Sequence, residues 1–141
     1  MAKNGFSLFE ALLVLALAGI LILAVPPSFH SAYPRYRLQR AVWEVQTCLN
    51  QARFKSIFDG TPVRVRFSSF GYFLEYYDET AKKWHTKERD FIEGVKLVAN
   101  NSPVFYPAGT VSNLASILIT NTWGTYKVTI AISGRIKAAK L

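Results

Sequence analysis

The first pattern along the chain is an uninterrupted apolar run. From Phe6 to Val25 there are twenty residues, and their only polar side chains are those of Ser7 and Glu10. About 20 apolar residues in an α-helix cross the roughly 30 Å hydrocarbon core of a bilayer. The run therefore predicts a transmembrane helix over residues 6–27.

A secretory signal peptide is the competing interpretation of this run, because Lys3 precedes it as a short basic region. Three features argue against it. The run is longer than a usual signal-peptide core, Glu10 lies inside it, and Val25-Pro26-Pro27 offers no site with small residues for signal peptidase. A helix that stays in the membrane is favoured.

The second pattern has helical periodicity. Pro26 and Pro27 are expected to bend or interrupt the first helix, because proline lacks the backbone N–H and clashes with the preceding turn. Beyond them, side chains that can be buried recur at steps of four and three, as on one face of an amphipathic helix. They are Leu38, Val42, Val45, Leu49, Ala52 and Ser56, with Ala41, Cys48 and Ile57 widening the stripe. The sequence Asp59-Gly60-Thr61-Pro62 predicts the end of this helix, with Gly60 as its C-terminal cap.

The third pattern has a period of two and predicts strands. Val63, Val65 and Phe67 alternate with arginines, and an aromatic segment follows over residues 70–77 after a hairpin turn at Ser68-Ser69. Residues 78–93 are strongly charged and predict a solvated loop, with a turn over 80–83 and a short strand at 84–86. Further strands are predicted over residues 95–99, 104–106, 116–120 and 126–133. The expected fold class is α+β, a long N-terminal helix packed on an antiparallel β-sheet.

Composition bounds the architecture and the chemistry. With 141 residues and half of them apolar, the chain has room for one membrane helix and one small globular domain. A single cysteine, Cys48, excludes an intramolecular disulfide and is expected to be a buried, inert thiol. His30 and His85 do not lie at metal-ligand spacing from each other or from Cys48. We therefore expect no enzyme activity, no cofactor and no metal site.

The formal charge is +8, and the excess is concentrated towards the C-terminus. After Val95 there is no acidic residue, and the basic residues are Lys96, Lys127, Arg135, Lys137 and Lys140. Such a patch can neutralise nucleic-acid phosphates without sequence preference. It can equally keep the domain soluble or face anionic lipid or a partner subunit, and this second interpretation is favoured.

The start of the chain also carries a family resemblance. Lys3-Asn4-Gly5-Phe6-Ser7-Leu8-Phe9-Glu10 resembles the class III signal of type IV pilins and type II secretion pseudopilins. The resemblance implies that residues 1–5 are a leader, that prepilin peptidase cuts between Gly5 and Phe6, and that the new amine of Phe6 is methylated. It places the N-terminus in the cytoplasm, residues 6–27 in the bacterial inner membrane and then in the core of a filament, and residues 28–141 in a periplasmic or extracellular domain.

The resemblance gives Glu10 a role in assembly. In pilin-like filaments this glutamate is expected to pair with the N-terminal amine of a neighbouring subunit, which satisfies a charge that lipid cannot solvate. The alternative is that Glu10 pairs within its own chain or reaches the membrane interface. The partners implied are other pilins or pseudopilins, prepilin peptidase, an inner-membrane assembly platform and membrane lipid.

Three later segments are similar to the GspH/FimT-like minor pseudopilins. They are the helix end over residues 49–57, the loop Val104-Phe105-Tyr106-Pro107-Ala108-Gly109, and the terminal strand that leads into Gly134-Arg135. Some members of the FimT-like branch serve DNA uptake through basic residues after this Gly-Arg pair. The alternative function is therefore a DNA-binding minor pilin of a competence pilus, with Arg135, Lys137 and Lys140 as candidate contacts.

Overall fold

The structure, a computed structural model, describes residues 7–24 and 26–141, and it describes side chains for residues 7–21 and 33–141. The chain divides into two units, one up to Tyr33 and one from Pro34 to Leu141. Two helices begin the fold, α1 at Leu8–Ala24 and α2 at Pro26–Asp59. The predicted cleavage and methylation site at Gly5 and Phe6 lies outside the described residues.

Helix α1 is apolar on every side. Its Glu10 and Ala11 N–H groups donate to the Ser7 carbonyl at 3.1 and 3.2 Å, which starts the helix. Its large side chains are exposed, Leu8 by 82% and Phe9 by 75%. Within residues 7–24 and 26–141, no helix is both long enough and apolar enough to cross a membrane.

The predicted stripe on α2 is confirmed at all but one position. Leu38, Val45 and Ala52 are fully buried, and Ser56 is buried at the end of the same face. Ile57 was placed in this stripe wrongly: it is half exposed, because it lies one residue beyond the buried Ser56 and so a further 100° around the helix. Gly60 has φ +66°, the left-handed conformation expected of a glycine that caps a helix.

Nine antiparallel strands follow, in two sheets. The first sheet has the order β3-β2-β1-β5-β6 and the second has the order β4-β7-β8-β9. The bounds are β1 Val63–Ser68, β2 Gly71–Asp78, β3 Lys83–Phe91, β4 Lys96–Ala99, β5 Val104–Phe105, β6 Val111–Ser112, β7 Ser116–Asn121, β8 Gly124–Ile130 and β9 Ile136–Lys140. The α+β fold class is confirmed, with the strands divided between two sheets.

Residues 78–93 are not the charged loop that the sequence predicted. After the expected turn, the chain forms the nine-residue strand β3, which pairs with β2 along its whole length. Most of its side chains are exposed, since β3 is the edge strand of the first sheet. An edge strand with little burial on either face has no apolar alternation, so its sequence resembles a loop.

The C-terminal strand was also misplaced. The strand predicted to run to Ser133 ends at Ile130, and a turn leads into β9, a strand that the sequence did not predict. Strand β9 pairs with β8 in register from Ile136 opposite Ile130 to Lys140 opposite Tyr126.

One hydrophobic core unites α2 with the inner faces of both sheets. Phe105 on β5 is the largest of its fully buried side chains. The core residues include Leu38, Val45 and Leu49 from α2, Val63, Val65 and Leu74 from the first sheet, and Leu97, Ile117, Ile119 and Val128 from the second. The faces turned away from this core are therefore the surfaces on which binding residues can lie.

Candidate functional site

The three segments that carry the minor-pseudopilin resemblance meet in space around Arg53. The Arg53 side chain comes from the end of α2, and its Nη1 donates to the Gly134 carbonyl at 3.3 Å. A Cβ added to Gly134 would lie 2.8 Å from Arg53 Nε, and one added to Gly109 would lie 3.9 Å from Arg53 Nη2. Both glycines have left-handed φ values, +78° at Gly109 and +76° at Gly134. The arginine therefore packs on two turns at positions where a side chain would crowd it or strain the backbone.

Further hydrogen bonds fix the same junction. Ser56 Oγ donates to the Tyr106 carbonyl at 3.3 Å, which joins the helix end to the Pro107–Gly109 turn. The Val111 N–H donates to the Ile132 carbonyl at 2.9 Å and joins that loop to the turn before β9. These contacts are backbone and buried-group contacts, so the junction stabilises the fold and offers no chemistry to a substrate.

Glu10 lies in the first turn of α1, where its side chain is exposed. Its N–H is also within hydrogen-bond distance of Ser7 Oγ, at 3.2 Å. The proposed partner of its carboxylate is the amine of Phe6, which lies outside the described residues. The pairing of Glu10 in a filament stays a prediction.

The candidate DNA contacts are not on one surface. Arg135 is exposed in the turn before β9. Lys137 and Lys140 lie three positions apart on β9, and because side chains alternate along a strand they point to opposite faces of the sheet. Lys140 extends over Trp123, with Nζ 3.7 Å from the ring centroid.

Lys137 instead shares the outer face of the second sheet with two other lysines. Lys127 on β8 and Lys96 on β4 each neighbour a buried core residue, Val128 and Leu97, and so point away from the core. The four strands contain no acidic residue. Of the candidate DNA contacts, Lys140 does not lie on this outer lysine face. Lys96 and Lys127, which were not candidates, do.

An exposed aromatic stripe on α2 was missed by the sequence analysis. Tyr36, Trp43, Phe54 and Phe58 are 74%, 68%, 66% and 78% exposed, and the rings of Phe54 and Phe58 stack at 5.7 Å between centroids. At 100° per residue these four positions fall within a sector of about 60°, opposite the buried stripe. Their steps of seven, eleven and four are the sequence signal that identifies this second face of the helix.

Arginines and aromatic rings alternate on the outer face of the first sheet. Glu75 is buried and receives Arg64 Nε at 2.6 Å and Arg66 Nη2 at 3.1 Å. Arg66 and Arg89 both lie over the Phe73 ring, at 5.1 and 5.2 Å from its centroid. The pattern Val-Arg-Val-Arg-Phe predicted outward arginines, but their shared carboxylate depends on the register of β1 with β2, which a single strand does not specify.

Titratable side chains of the globular domain form ion pairs on its surface or are buried in its core. Glu88 on β3 accepts hydrogen bonds from Gln51 and Lys55 on α2, and the bond that Lys55 donates to Glu88 is the main cause of the raised pKa of Lys55. Burial raises the pKa of the Cys48 thiol, which keeps it protonated and unreactive. His85 lies on β3 with Nε2 3.9 Å from Asp78 Oδ2. In the described part of the chain, no three His, Cys, Asp or Glu residues form a group that could hold a metal ion.

Comparisons with solved structures agree with this fold. The chain is similar to the minor pseudopilin EpsH from the type 2 secretion system of Vibrio cholerae, with a TM-score of 0.63 at 13% identity, over 74% of this chain and 97% of that one. A second EpsH structure matches with a TM-score of 0.61 at 12% identity, over 72% of this chain and 92% of that one. The type IV minor pilin FimU of Pseudomonas aeruginosa PAO1 matches with a TM-score of 0.61 at 16% identity, over 74% of this chain and 90% of that one.

No protein-family model matches the chain, and no curated protein matches it. Structural similarity at identities this low establishes the fold. The chain has the α+β fold of a minor pseudopilin and of a type IV minor pilin of known structure.

Proposed function

We propose that this chain is a minor pilin or pseudopilin, a non-enzymatic subunit of a type II secretion pseudopilus or a type IV pilus. The observation that carries the proposal is the large apolar surface that both helices leave exposed. Over residues 8–21, helix α1 exposes its leucines on every side, and α2 exposes four aromatic side chains opposite its buried face. Exposed apolar patches of this kind mark contacts with a membrane or with other proteins.

The exposed apolar surfaces contact lipid before assembly and other subunits after it. Residues 6–27 lie in the inner membrane first and in the filament core later, where the helices of other pilin-like subunits replace lipid. Small residues Ala11, Ala16, Ala18 and Gly19 allow close approach of those helices. The aromatic stripe on α2 contacts other subunits outside the membrane, with the domain in the periplasm or outside the cell.

The aromatic stripe is tested by replacing two of its members, Trp43→Gln with Phe58→Gln. Both side chains are exposed, so the free energy of unfolding is expected to change by less than about 0.5 kcal/mol while incorporation into filaments falls. Phe70→Gln is the matched control, since Phe70 is 65% exposed in the β1–β2 turn, away from the stripe. Normal incorporation of the double variant in a filament-shearing assay would contradict the proposal.

The N-terminal processing is tested by two further variants. Gly5→Ala is expected to retain the leader, visible as an unprocessed intact mass. Glu10→Ala is expected to be cleaved and membrane-bound yet poorly incorporated, because the charge on a neighbour's Phe6 amine then has no partner. Glu79→Ala serves as control, as it removes an exposed carboxylate from a turn of the globular domain. Equal incorporation of the Glu10 and Glu79 variants would end the pairing hypothesis.

A second candidate function is DNA binding, and the acid-free outer lysine face favours it. We infer that duplex DNA, where it binds, contacts Lys96, Lys127 and Lys137, with Arg135 at the border of this face. Binding would weaken steeply with salt, because each phosphate contact releases a counterion. Titration with duplex DNA at increasing salt tests this: Lys127→Ala with Lys137→Ala is expected to lower the affinity, and Lys140→Ala is not.

A further inference from the structure

Two cationic side chains lie close to the ring of one tryptophan at the tip of the β7–β8 hairpin. Arg35 Cζ lies 5.3 Å from the centroid of the Trp123 ring, and Lys140 Nζ lies 3.7 Å from it. Arg35 belongs to α2 and Lys140 to β9, so three separate elements contribute to this Trp123 cluster. Arg35 and Lys140 are exposed, and Trp123 is half-buried.

Hydrogen bonds hold the cluster in place. Asn121 Nδ2 donates to the Pro34 carbonyl at 2.6 Å, which fastens the hairpin tip to α2 beside Arg35. The Trp123 N–H donates to Asn121 Oδ1 at 2.8 Å and fixes the turn that presents the indole. The Leu141 N–H donates to the Thr125 carbonyl at 3.0 Å and keeps the end of β9 against β8. The cluster is therefore preorganised, and a ligand need not order it.

Within the part of the chain that the structure describes, no carboxylate pairs with Arg35 or Lys140, the cations of the cluster. Two like charges beside one ring repel each other, and an anion that approaches both relieves the repulsion. Large apolar side chains next to the cationic residues are exposed, Tyr36 on α2 by 74% and Leu141, which follows β9, by 71%. The combination of two cations, an indole and apolar side chains suits a ligand with an anionic head and an apolar body.

The side-chain types of the cluster point to the headgroup layer of a membrane. Tryptophan and tyrosine are enriched at membrane interfaces, and each Lys or Arg near an anionic leaflet contributes to binding there. Trp123 with Arg35 and Lys140 has this composition.

We propose that the Trp123 cluster binds the headgroup phosphate of an anionic phospholipid and so seats the globular domain on the membrane surface before assembly. The inference rests on the proposed function, since it requires the membrane anchor. It assigns to this cluster a contact that must break when the subunit enters a filament. The lysine face of the second sheet has no part in it.

The test uses the full chain reconstituted into phosphatidylcholine vesicles with and without phosphatidylglycerol. Trp43→Phe with Trp84→Phe leaves Trp123 as the only tryptophan, and brominated phospholipid reports its contact with lipid by quenching. Quenching is expected to be stronger with phosphatidylglycerol. Arg35→Ala and Lys140→Ala are each expected to lower the contact equilibrium about 5-fold, from the usual contribution of one basic residue at an anionic surface.

The controls separate this inference from the anchor. Lys127→Ala with Lys137→Ala removes the same charge from the outer lysine face and is expected to leave quenching unchanged. A chain that does not float with vesicles of either composition would contradict the proposed anchor. A chain that floats, but whose Trp123 is quenched equally without phosphatidylglycerol, would overturn the lipid contact. So would a Trp123 signal that responds to duplex DNA and not to the vesicles.

Discussion

Replacing Gly134 by alanine tests the junction at which the three resemblance segments meet. The new methyl group would lie 2.8 Å from Arg53 Nε and 2.9 Å from its Cζ, so the guanidinium must move. Moving it breaks the hydrogen bond from Arg53 Nη1 to the Gly134 carbonyl. The backbone is also strained, because Gly134 has φ +76° and alanine disfavours that region.

The expected loss in the free energy of unfolding of Gly134→Ala has two parts. The left-handed conformation costs about 1 kcal/mol for a residue with a Cβ. Loss of the Arg53 hydrogen bond and of its packing costs about 1–2 kcal/mol more. The free energy of unfolding of Gly134→Ala is therefore expected to fall by about 2–3 kcal/mol. Gly60→Ala is the control, since Gly60 has φ +66° and nothing lies within 4 Å of an added Cβ. This variant should lose only the free energy that comes from backbone strain.

A double-mutant cycle with Arg53→Ala completes the test. In that background the methyl group meets no guanidinium, so Gly134→Ala is expected to cost only about 1 kcal/mol, the same as Gly60→Ala. Urea unfolding of the full chain in detergent, followed by tryptophan fluorescence, measures all four variants. If Gly134→Ala costs the same with and without Arg53, the contact between the two residues has no energetic weight and the reasoning is refuted.

Two further predictions concern carboxylates of β2. Glu75→Gln leaves Arg64 and Arg66 without their shared carboxylate. Because both arginines are partly solvated, we expect the free energy of unfolding, measured with urea, to fall by about 2 kcal/mol. The control is Glu79→Gln in an exposed turn, which is expected to change this free energy by less than about 0.5 kcal/mol. Asp78 accepts two backbone N–H groups of the β2–β3 turn, which hold its carboxyl pKa below the usual aspartate value. Its stabilisation is therefore complete above that usual value and is lost as the pH falls through the lowered pKa. An NMR titration of the Asp78 carboxyl carbon checks the direction, and an unshifted or raised midpoint would contradict it.

Local periodicity predicted the elements that have one buried face and one solvated face. The stripe on α2 and the alternation of β1 both have this property, so Val45, Ala52, Val63 and Val65 were assigned to the core correctly. Gly60 was identified as a cap because a helix end needs a left-handed residue. In each case the information lies within a few residues along the chain.

The remaining features depend on contacts between distant segments. Strand β3 gave no alternating signal because it is an edge strand and mostly exposed. Arg53 meets Gly109 and Gly134 only after two sheets have formed in the correct order. Lys137 and Lys140 point in opposite directions because residues 136–140 form strand β9. The resemblance therefore identified the three segments, and the fold shows that they contact one another.

The charged edge of the first sheet bears on the assembly that we propose for this chain. An open edge strand offers unpaired backbone groups to a second copy, and growth by strand addition leads to amyloid-like aggregates. Strand β3 carries alternating charges, among them Lys83, Lys87, Glu88, Arg89 and Asp90. A neighbouring β3 would have to desolvate these charges to pair with it. The edge thus disfavours association through strands, which agrees with the proposal that subunits join through their exposed helices.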